Sequence, residues 1–205
     1  MLTDETSNST PYRDQPLLFI TEMHWGQQPV RLTARQIDRL PEDAPVTSVH
    51  IVPFYRGQVL VVKDRRGSYG FPGGRLDPGE TREQAMNREL YEEANASVEP
   101  DYQLFAAIKI EYTVKLPGRQ YPNLFSYLAM FVGKVRAIEP FTGDPAGVVL
   151  ERAFLNQKEC EYYLQEHDKI LLREAIKKMK ACQPNDIDLC SFLKPPLNRN
   201  VHHVR

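Results

Sequence analysis

Cysteines are few and long apolar runs are missing from this sequence. Its 205 residues include three cysteines, Cys160, Cys182 and Cys190, and none belongs to a Cys-x-x-Cys pair. We therefore expect reduced thiols and no cysteine-bound zinc. No apolar run approaches the length of a transmembrane helix, and the Asp- and Glu-containing N-terminus has no signal-peptide core. A cytoplasmic protein without a membrane anchor is the expectation.

A surplus of either charge is also missing. Lys and Arg number 26 against 27 Asp and Glu, so the formal net charge is −1. This balance gives no bulk attraction to nucleic acid or to membranes. The histidines are isolated or lie in the tail, and the sequence has neither a Walker phosphate loop nor a Gly-x-Ser-x-Gly elbow. Any catalytic chemistry has to come from other side chains.

Acidic residues cluster in one loop and helix. The pair Gly73–Gly74 opens a turn that leads to Glu80, and Glu89, Glu92 and Glu93 follow. The last three are spaced by three and four residues, so they share one helix face. Like charges at that spacing destabilise a bare helix, so a counter-ion is expected. Carboxylate oxygens are hard ligands, and such a cluster is typical of a Mg²⁺ or Mn²⁺ site beside phosphates.

This segment resembles the Nudix box, the signature of the Nudix hydrolase superfamily. The matching positions follow a leading Phe71-Pro72-Gly73 and are Gly74, Glu80, Arg88, Glu89, Leu90, Glu92 and Glu93. The end departs from the pattern, because Asn95 replaces a glycine and Ala96 replaces a bulkier apolar residue. Asn is the non-glycine residue that best tolerates the left-handed conformation at a helix end, so we expect the box to remain functional.

The cluster and the resemblance together predict a Mg²⁺ site, with Mn²⁺ as a possible substitute. Glu89 and Glu93, at positions i and i+4, are the expected direct ligands, with Glu92 beside them. The resemblance adds the backbone carbonyl of Gly73 as a ligand. Catalytic roles are expected for Glu92 and Glu93.

Arg88 has a structural role in the family, and the resemblance implies that it pairs with Glu80. This pair would fix the loop, including Gly74, against the helix. Arg88 is therefore counted with the catalytic residues as well as with the structural part of the box.

The general base is left open between a box glutamate and a later loop carboxylate. Outside the box the candidates are Glu139, Asp144 and Glu151. Glu151 is preferred because it precedes the apolar pair Ala153–Phe154, which looks like the family's downstream position. A general base has to lie within hydrogen-bond reach of the attacking water before its pKa matters, and the sequence does not specify that distance.

Substrate contacts are predicted from basic and aromatic residues near the box. Arg65, Arg66 and Tyr69 precede it, and Arg119 lies in a later loop. Arginines bind phosphate through two hydrogen bonds and aromatic rings stack on bases. A solvated hairpin tip at Arg65–Arg66 is the alternative. Tyr112 stands near a tyrosine of the superfamily's dinucleoside polyphosphate hydrolases, although a core role is favoured.

The fold class expected is α+β, a Nudix-type α/β/α sandwich with a mixed β-sheet and an N-terminal extension. The predicted domains are a flexible segment 1–16, an extension 17–45, a Nudix domain 46–183 and a Pro- and Asn-rich tail 184–205. Within the extension, a strand over 17–25 and a short helix over 34–40 are predicted. The hairpin 46–63, the helix 80–94, the strands 103–115 and 123–135 and the helix 168–182 are expected in the domain.

The function expected is Mg²⁺-dependent cleavage of a diphosphate linkage in a nucleoside diphosphate derivative. Nucleotide sugars, ADP-ribose and nucleoside triphosphates all fit. An RNA 5′-end pyrophosphohydrolase, which removes a nucleotide or cap from an RNA 5′ end, is one alternative, and a nucleotide-sensing module without turnover is another. A small nucleotide is the expected partner, and the N-terminal extension is a possible homodimer contact.

Overall fold

The computed structural model describes residues 12–40, 44–115, 125–182 and 192–193. The strands are β1 Leu17–Trp25, β2 Gln28–Gln36, β3 Val46–Tyr55, β4 Gln58–Asp64, β5 Tyr69–Gly70, β6 Gly73–Arg75, β7 Ala96–Val98, β8 Gln103–Tyr112, β9 Phe125–Ile138 and β10 Val149–Leu155. The helices are α1 Arg82–Ala94, α2 Gln157–Tyr163 and α3 Glu166–Cys182.

The strands form one mixed sheet, in the order β1-β2-β8-β9-β3-β4-β10. Strands β3 and β9 run parallel, and the other neighbours in this order are antiparallel. The short strands β5, β6 and β7 pair with β4, β3 and β9. The predicted α+β architecture with a mixed sheet is therefore confirmed.

Each face of the sheet has its own apolar core. Strand β3 shows the division, because successive side chains of a strand point to opposite faces. Val49 and Ile51 belong to the cluster that contains the buried residues of α1. Val52 and Phe54 belong to the cluster that contains those of α2 and α3. Strand β6 pairs with β3 and immediately precedes α1 in the chain, which positions the acidic helix beside the sheet.

The N-terminal strands extend this sheet. Strand β2 pairs with β8 from Val30 to Gln36, and its Val30, Leu32 and Ala34 are buried in the α3-side core. The helix predicted over 34–40 is wrong, since β2 continues to Gln36 and the Ile37 N–H donates to the Phe105 carbonyl at 3.0 Å. Pairing with a strand seventy residues away overrides the local helix signal, because it satisfies the backbone and buries alternate side chains.

Residues next to both chain ends pack on the sheet. The Tyr12 hydroxyl donates to the Thr33 carbonyl at 2.5 Å, and the ring lies 5.0 Å from that of Tyr127. Residues 12–16 of the segment expected to be flexible therefore contact β2 and β9. In the predicted tail, Phe192 is buried 5.5 Å from the Phe54 ring. The rest of the tail and residues 1–11 lie outside the described residues.

Helix α2 begins at a capping residue, and α3 buries one face. Asn156 caps α2 through a reciprocal capping box with Glu159. Helix α3 buries Leu171, Leu172, Ala175 and Met179 against the sheet. No helix in the described parts of the chain is long and apolar enough to cross a bilayer.

Candidate active site

The acidic helix α1 begins at Thr81, whose hydroxyl accepts from the Gln84 N–H at 3.2 Å. The Gln84 side chain in turn accepts from the Thr81 N–H at 2.8 Å, which completes a capping box. Ala85, Met86, Leu90 and Ala94 bury one face of the helix. Burial of that face fixes the helix rotation, so the glutamates are turned toward the β6 loop.

Arg88 joins the carboxylates to that loop. Its Nε and Nη2 atoms donate to the two oxygens of Glu80, both at 2.9 Å, and Nη2 also donates to the Arg75 carbonyl at 2.8 Å. Its Nη1 atom donates to Glu89 at 2.9 Å and to Glu92 at 3.0 Å. Hydrogen bonds from Arg88 lower the pKa of Glu80, and those to Glu80 help to raise the pKa of Arg88. One guanidinium thus organises three acidic side chains.

Glu89 lies directly over Gly74. A Cβ atom added to Gly74 would lie 2.5 Å from the Cδ atom of Glu89, so only glycine leaves room for this carboxylate. Burial raises the pKa of Glu89, while the hydrogen bond from Arg88 opposes that rise. The glycine and the glutamate therefore form one compact unit.

Glu93 lies over the preceding glycine. Its Oε2 atom accepts from the Gly73 N–H at 2.8 Å. Burial raises the pKa of Glu93 to about 7, and the charges of Glu89, Asp144 and Glu92 add to the rise. Gly73 has φ 153°, and a Cβ atom there would approach the Cδ2 atom of His50 to 2.6 Å. The glycine pair therefore lets the loop approach both carboxylates.

The donor set fits a hard divalent cation. In the described residues, no three acidic, histidine or cysteine side chains are arranged as a ready metal-binding group. Arg88 holds Glu89 and Glu92, and the Gly73 N–H holds Glu93. Burial, with a smaller contribution from neighbouring carboxylates, raises the pKa of both Glu89 and Glu93, and a divalent cation beside them would favour their charged forms. Oxygen ligands of this kind suit Mg²⁺ or Mn²⁺.

Asp144 lies close enough to raise the pKa of Glu93, but it is occupied by its own loop. Its carboxylate accepts from the N–H groups of Ala146 at 2.9 Å, Val148 at 2.7 Å and Val149 at 2.9 Å. Burial alone would raise the pKa of Asp144, but these bonds and Arg65 outweigh it, and the net shift is downward. A carboxylate bound in this way shapes the loop and is a weak proton acceptor.

The other two candidates for the base, Glu151 and Glu139, form their contacts with residues other than the box carboxylates. Glu151 forms a 3.5 Å ion pair with Lys63 on the neighbouring strand. Its neighbour Arg152 donates to the Ala94 carbonyl at 2.6 Å, so alternation places Glu151 on the sheet face opposite α1. Glu139 accepts from the Tyr91 hydroxyl at 3.0 Å near the end of the helix.

The residues predicted to contact the substrate lie in different surroundings. The Arg65 guanidinium covers Gly147, where an added Cβ would lie 2.8 Å from its Nη2 atom, so Arg65 lies at the Asp144 loop. Arg66 is exposed in the turn after β4, and its N–H donates to Asp64 at 2.8 Å. The Tyr69 ring packs 5.3 Å from that of Tyr163, with the Lys63 ammonium also 5.3 Å away. Arg119 lies outside the described residues.

The side chain of Asn95 has a contact that the sequence pattern did not predict. Asn95 ends α1 in the left-handed conformation, with φ 45° and ψ 47°, as its place in the box suggests. Its Oδ1 atom also accepts from the Thr142 N–H at 2.8 Å. The replacement of glycine by asparagine was the available signal, since asparagine can adopt this conformation and also form a side-chain bond.

A comparison of the sequence with family models identifies the domain. The sequence model of the NUDIX domain matches residues 44–173, which is more than half of the chain. The chain belongs to the Nudix family. The matched Nudix domain contains α1 and all the acidic box residues, while β1 and β2 precede it.

Curated proteins resemble part of this Nudix domain. An RNA pyrophosphohydrolase from Serratia proteamaculans is 46% identical over 66 residues, which span 31% of this chain and 37% of that protein. An 8-oxo-dGTP diphosphatase from Haemophilus influenzae is 42% identical over 62 residues, which span 30% of this chain and 45% of that protein. The matches therefore span less than half of each curated relative.

A solved structure shares the fold. The pyrophosphohydrolase of Bacillus subtilis aligns with a TM-score of 0.55 and 18% identity, covering 80% of this chain and 98% of that one. At this identity, the likeness concerns the fold of the Nudix domain.

Proposed function

We propose that this Nudix protein hydrolyses a diphosphate linkage in a small nucleoside diphosphate derivative and uses Mg²⁺. A nucleotide sugar, ADP-ribose and a nucleoside triphosphate are the substrate types considered, and Mn²⁺ is a possible substitute metal. The observation that carries the proposal is the joining of Glu80, Glu89 and Glu92 through Arg88, with Glu93 held on the Gly73 N–H. All four box carboxylates are retained, which argues against a sensing module that has lost its chemistry.

The box residues would have two different roles. Glu89, Glu93 and Glu92, with the Gly73 carbonyl, would hold the metal, and Arg88 and Glu80 would fix the loop and helix around it. When bound, the divalent metal supplies charge neutralisation at the diphosphate and activation of water. Gly74 keeps the backbone close to Glu89, so the loop can approach a bulky phosphate chain. Arg65 lies beside this region, and Arg65 and Arg66 are the described arginines proposed to contact phosphate, with Tyr69 proposed to contact the base.

The first experiment is release of phosphate or diphosphate from a nucleotide panel, with and without Mg²⁺. We expect hydrolysis that requires the metal, and Glu93→Gln should lower kcat by about a hundredfold or more. The matched control is Glu83→Gln, another glutamate of α1 outside the cluster. Activity without metal, or equal activity in Glu93→Gln, would overturn the mechanism. Binding without turnover of any panel member would favour the sensing module.

The base is assigned by comparing two variants. Glu151→Gln should lower kcat without changing the Mg²⁺ concentration that gives half-maximal activity, if Glu151 accepts the proton from water. Glu92→Gln should instead raise that Mg²⁺ concentration. A Glu151→Gln variant with unchanged kcat would return the role to a box glutamate.

A second candidate substrate is the 5′ end of RNA. The name of the Serratia proteamaculans relative, which is 46% identical over 66 residues, favours this candidate. The near-neutral net charge of −1 disfavours broad RNA binding. Competition between a triphosphorylated RNA oligonucleotide and the matching nucleoside triphosphate distinguishes the two candidate substrates. If RNA is the substrate, its kcat/KM should be the higher.

Self-association through the N-terminal extension is also proposed. Strand β1 lies at one edge of the sheet and leaves Leu17 and Ile20 50% and 58% exposed. An open edge can pair with a second copy of the chain. We expect a dimer in sedimentation, which Ile20→Lys should shift toward monomer. Leu150→Lys, equally exposed at the opposite edge, is the control, and a monomer in the unmodified protein would contradict the proposal.

A further inference from the structure

A cavity of about 270 Å³ lies between the N-terminal strands and the Nudix box loop. Its walls include Trp25 of β1, Tyr112 of β8, Ser126 of β9, Ser48 of β3 and Arg75 of β6. The volume is close to the lower end of the range found for small-molecule sites. Aromatic, hydroxyl and guanidinium groups therefore face one space of ligand size.

Ser126 gives the clearest sign that the cavity is built for a ligand. The residue is 4% exposed, and its Oγ atom has no hydrogen-bond partner among the described residues. A buried hydroxyl without a partner costs free energy, and such groups in native proteins usually have a role. Ser126 pairs with Ile110, whose side chain belongs to the α3-side core, so both side chains lie on that face of the sheet.

Trp25 lies on the same face of the sheet. Met23, two residues earlier on β1, packs against the α3-side core, and strand alternation gives Trp25 the same direction. Trp25 is 46% exposed, so a large aromatic surface is open at the cavity. Together with Tyr112 it supplies two aromatic walls, and bases stack on such rings without a strict sequence preference.

Arg75 links the cavity to the catalytic carboxylates. It follows Gly74, on which Glu89 lies, and its carbonyl accepts from Arg88 at 2.8 Å. It is also the register partner of Ser48. A ligand in the cavity would therefore have its ring against β1 and β8 and its charged end at Arg75, on the α3 side of the strand whose other side meets Glu89 at Gly74.

We propose that this cavity holds the nucleobase of the substrate, with Trp25 stacked on the ring and the Ser126 hydroxyl bonded to its polar edge. The inference rests on the proposed function, because it locates the nucleoside half of the same substrate. Trp25 lies outside residues 44–173 that match the NUDIX domain, so base recognition depends on a strand added in front of that domain. Inorganic di- or triphosphate lacks the group that the cavity binds.

The first test uses the intrinsic fluorescence of Trp25, which is the single tryptophan of the chain. The Glu93→Gln variant is titrated with AMP, GMP, CMP and UMP, and separately with ribose 5-phosphate and inorganic diphosphate. We expect saturable quenching by at least one nucleotide and none by the two ligands without a base. Equal quenching by ribose 5-phosphate, or no quenching by any nucleotide that the protein binds, would overturn the proposal.

The second test compares kinetic constants. Trp25→Ala should raise KM for a nucleotide substrate by about tenfold and leave KM for inorganic triphosphate unchanged. The control is His24→Ala, the exposed neighbour whose side chain points to the other face of β1. An equal effect of both variants, or of Trp25→Ala on both substrates, would indicate a structural role for the strand.

Ser126→Ala separates binding from folding. It removes the unpaired hydroxyl, so Tm should stay the same or rise. Nucleotide binding should weaken by about fivefold, the effect of one lost hydrogen bond. A fall in Tm together with unchanged binding would contradict the role given to Ser126. Metal-dependent hydrolysis that is lost in Glu93→Gln but indifferent to Trp25 and Ser126 would leave the proposed function standing and remove only this inference.

Discussion

The side chain of Asn95 holds the backbone of Thr142, with 2.8 Å between its Oδ1 atom and the Thr142 nitrogen. The Asn95 carbonyl also accepts from the Glu139 N–H at 2.8 Å. Two bonds from one residue thus join the end of the acidic helix to the chain that leads to Asp144. The carboxylate of Asp144 in turn shapes its own loop beside Glu93. The helix end therefore positions a second loop of the site as well as the box.

Asn95→Gly and Asn95→Ala separate the two properties of this residue. Glycine keeps the left-handed conformation and loses the bond to Thr142, so unfolding free energy should fall by about 1 kcal/mol. Alanine also has to adopt φ 45°, which adds about 1 kcal/mol or more. Urea unfolding of both variants measures the difference. Equal stability of the two would show that the backbone conformation is not strained here.

Gly74→Ala tests the contact between the loop and Glu89. The added methyl group overlaps the carboxylate, which is the flexible end of a side chain, so the fold should survive while Glu89 moves. We expect kcat to fall by about a hundredfold, because a shift near 1 Å at a catalytic group has that effect.

Gly70→Ala is the control for this substitution. A Cβ atom at Gly70 meets nothing within 4 Å, so its activity should stay near that of the unmodified protein. Full activity in Gly74→Ala would show that the position of Glu89 is unimportant. Thermal melting of both variants confirms that any loss arises in the folded state.

Arg88→Lys tests the hub of the site. A lysine ammonium cannot donate to Glu80, Glu89 and Glu92 in the fork geometry of the guanidinium. We expect kcat to fall by at least about tenfold and unfolding free energy to fall by about 2 kcal/mol. Arg31→Lys is the matched control, because Arg31 also makes two bonds to one glutamate but is 51% exposed. Similar small effects of both substitutions would contradict the central role of Arg88.

Because of Asp168, the free energy of unfolding should fall as the pH rises above the ordinary pKa of an aspartate. Burial raises the pKa of Asp168, whose carboxylate lies 3.7 Å from the Nε2 atom of His167. Between the ordinary and the raised pKa the folded state binds more protons than the unfolded state, so unfolding free energy decreases with pH. Asp168→Asn should therefore be more stable than the unmodified protein at pH 8 and equal to it near pH 4.

A difference of one between the folded and unfolded pKa of Asp168 corresponds to about 1.4 kcal/mol of unfolding free energy. Glu166→Gln is the control in the same helical turn, since the hydrogen bond from Lys169 lowers the pKa of Glu166. Glu166→Gln should have the opposite effect, a lower free energy of unfolding than the unmodified protein at pH 8. Denaturant unfolding at both pH values measures the effects, and a constant Asp168→Asn difference would contradict the assigned shift.

Local spacing made the acidic helix predictable. Glu89, Glu92 and Glu93 share a face because helix geometry alone places them there, and Asn95 suits the helix end for a conformational reason. The predicted helix over 34–40 was wrong because Gln36 and the residues before it pair with β8 in the sheet. That choice depends on a partner strand far along the chain, which local propensity does not report.

The sequence by itself determined the carboxylate cluster, its arginine and the family of the chain, because these depend on residue type at fixed short spacing. The tertiary structure alone decided that Asp144 is bound by its own loop, that Glu151 pairs with Lys63, and that Trp25 and Ser126 face one cavity. Residues 25, 75 and 126 line one cavity only because the sheet places β2 and β8 between β1 and β9, and β3 between β9 and β6. Strand order is set by burial and backbone pairing over the whole chain, and so short-range patterns could not specify it.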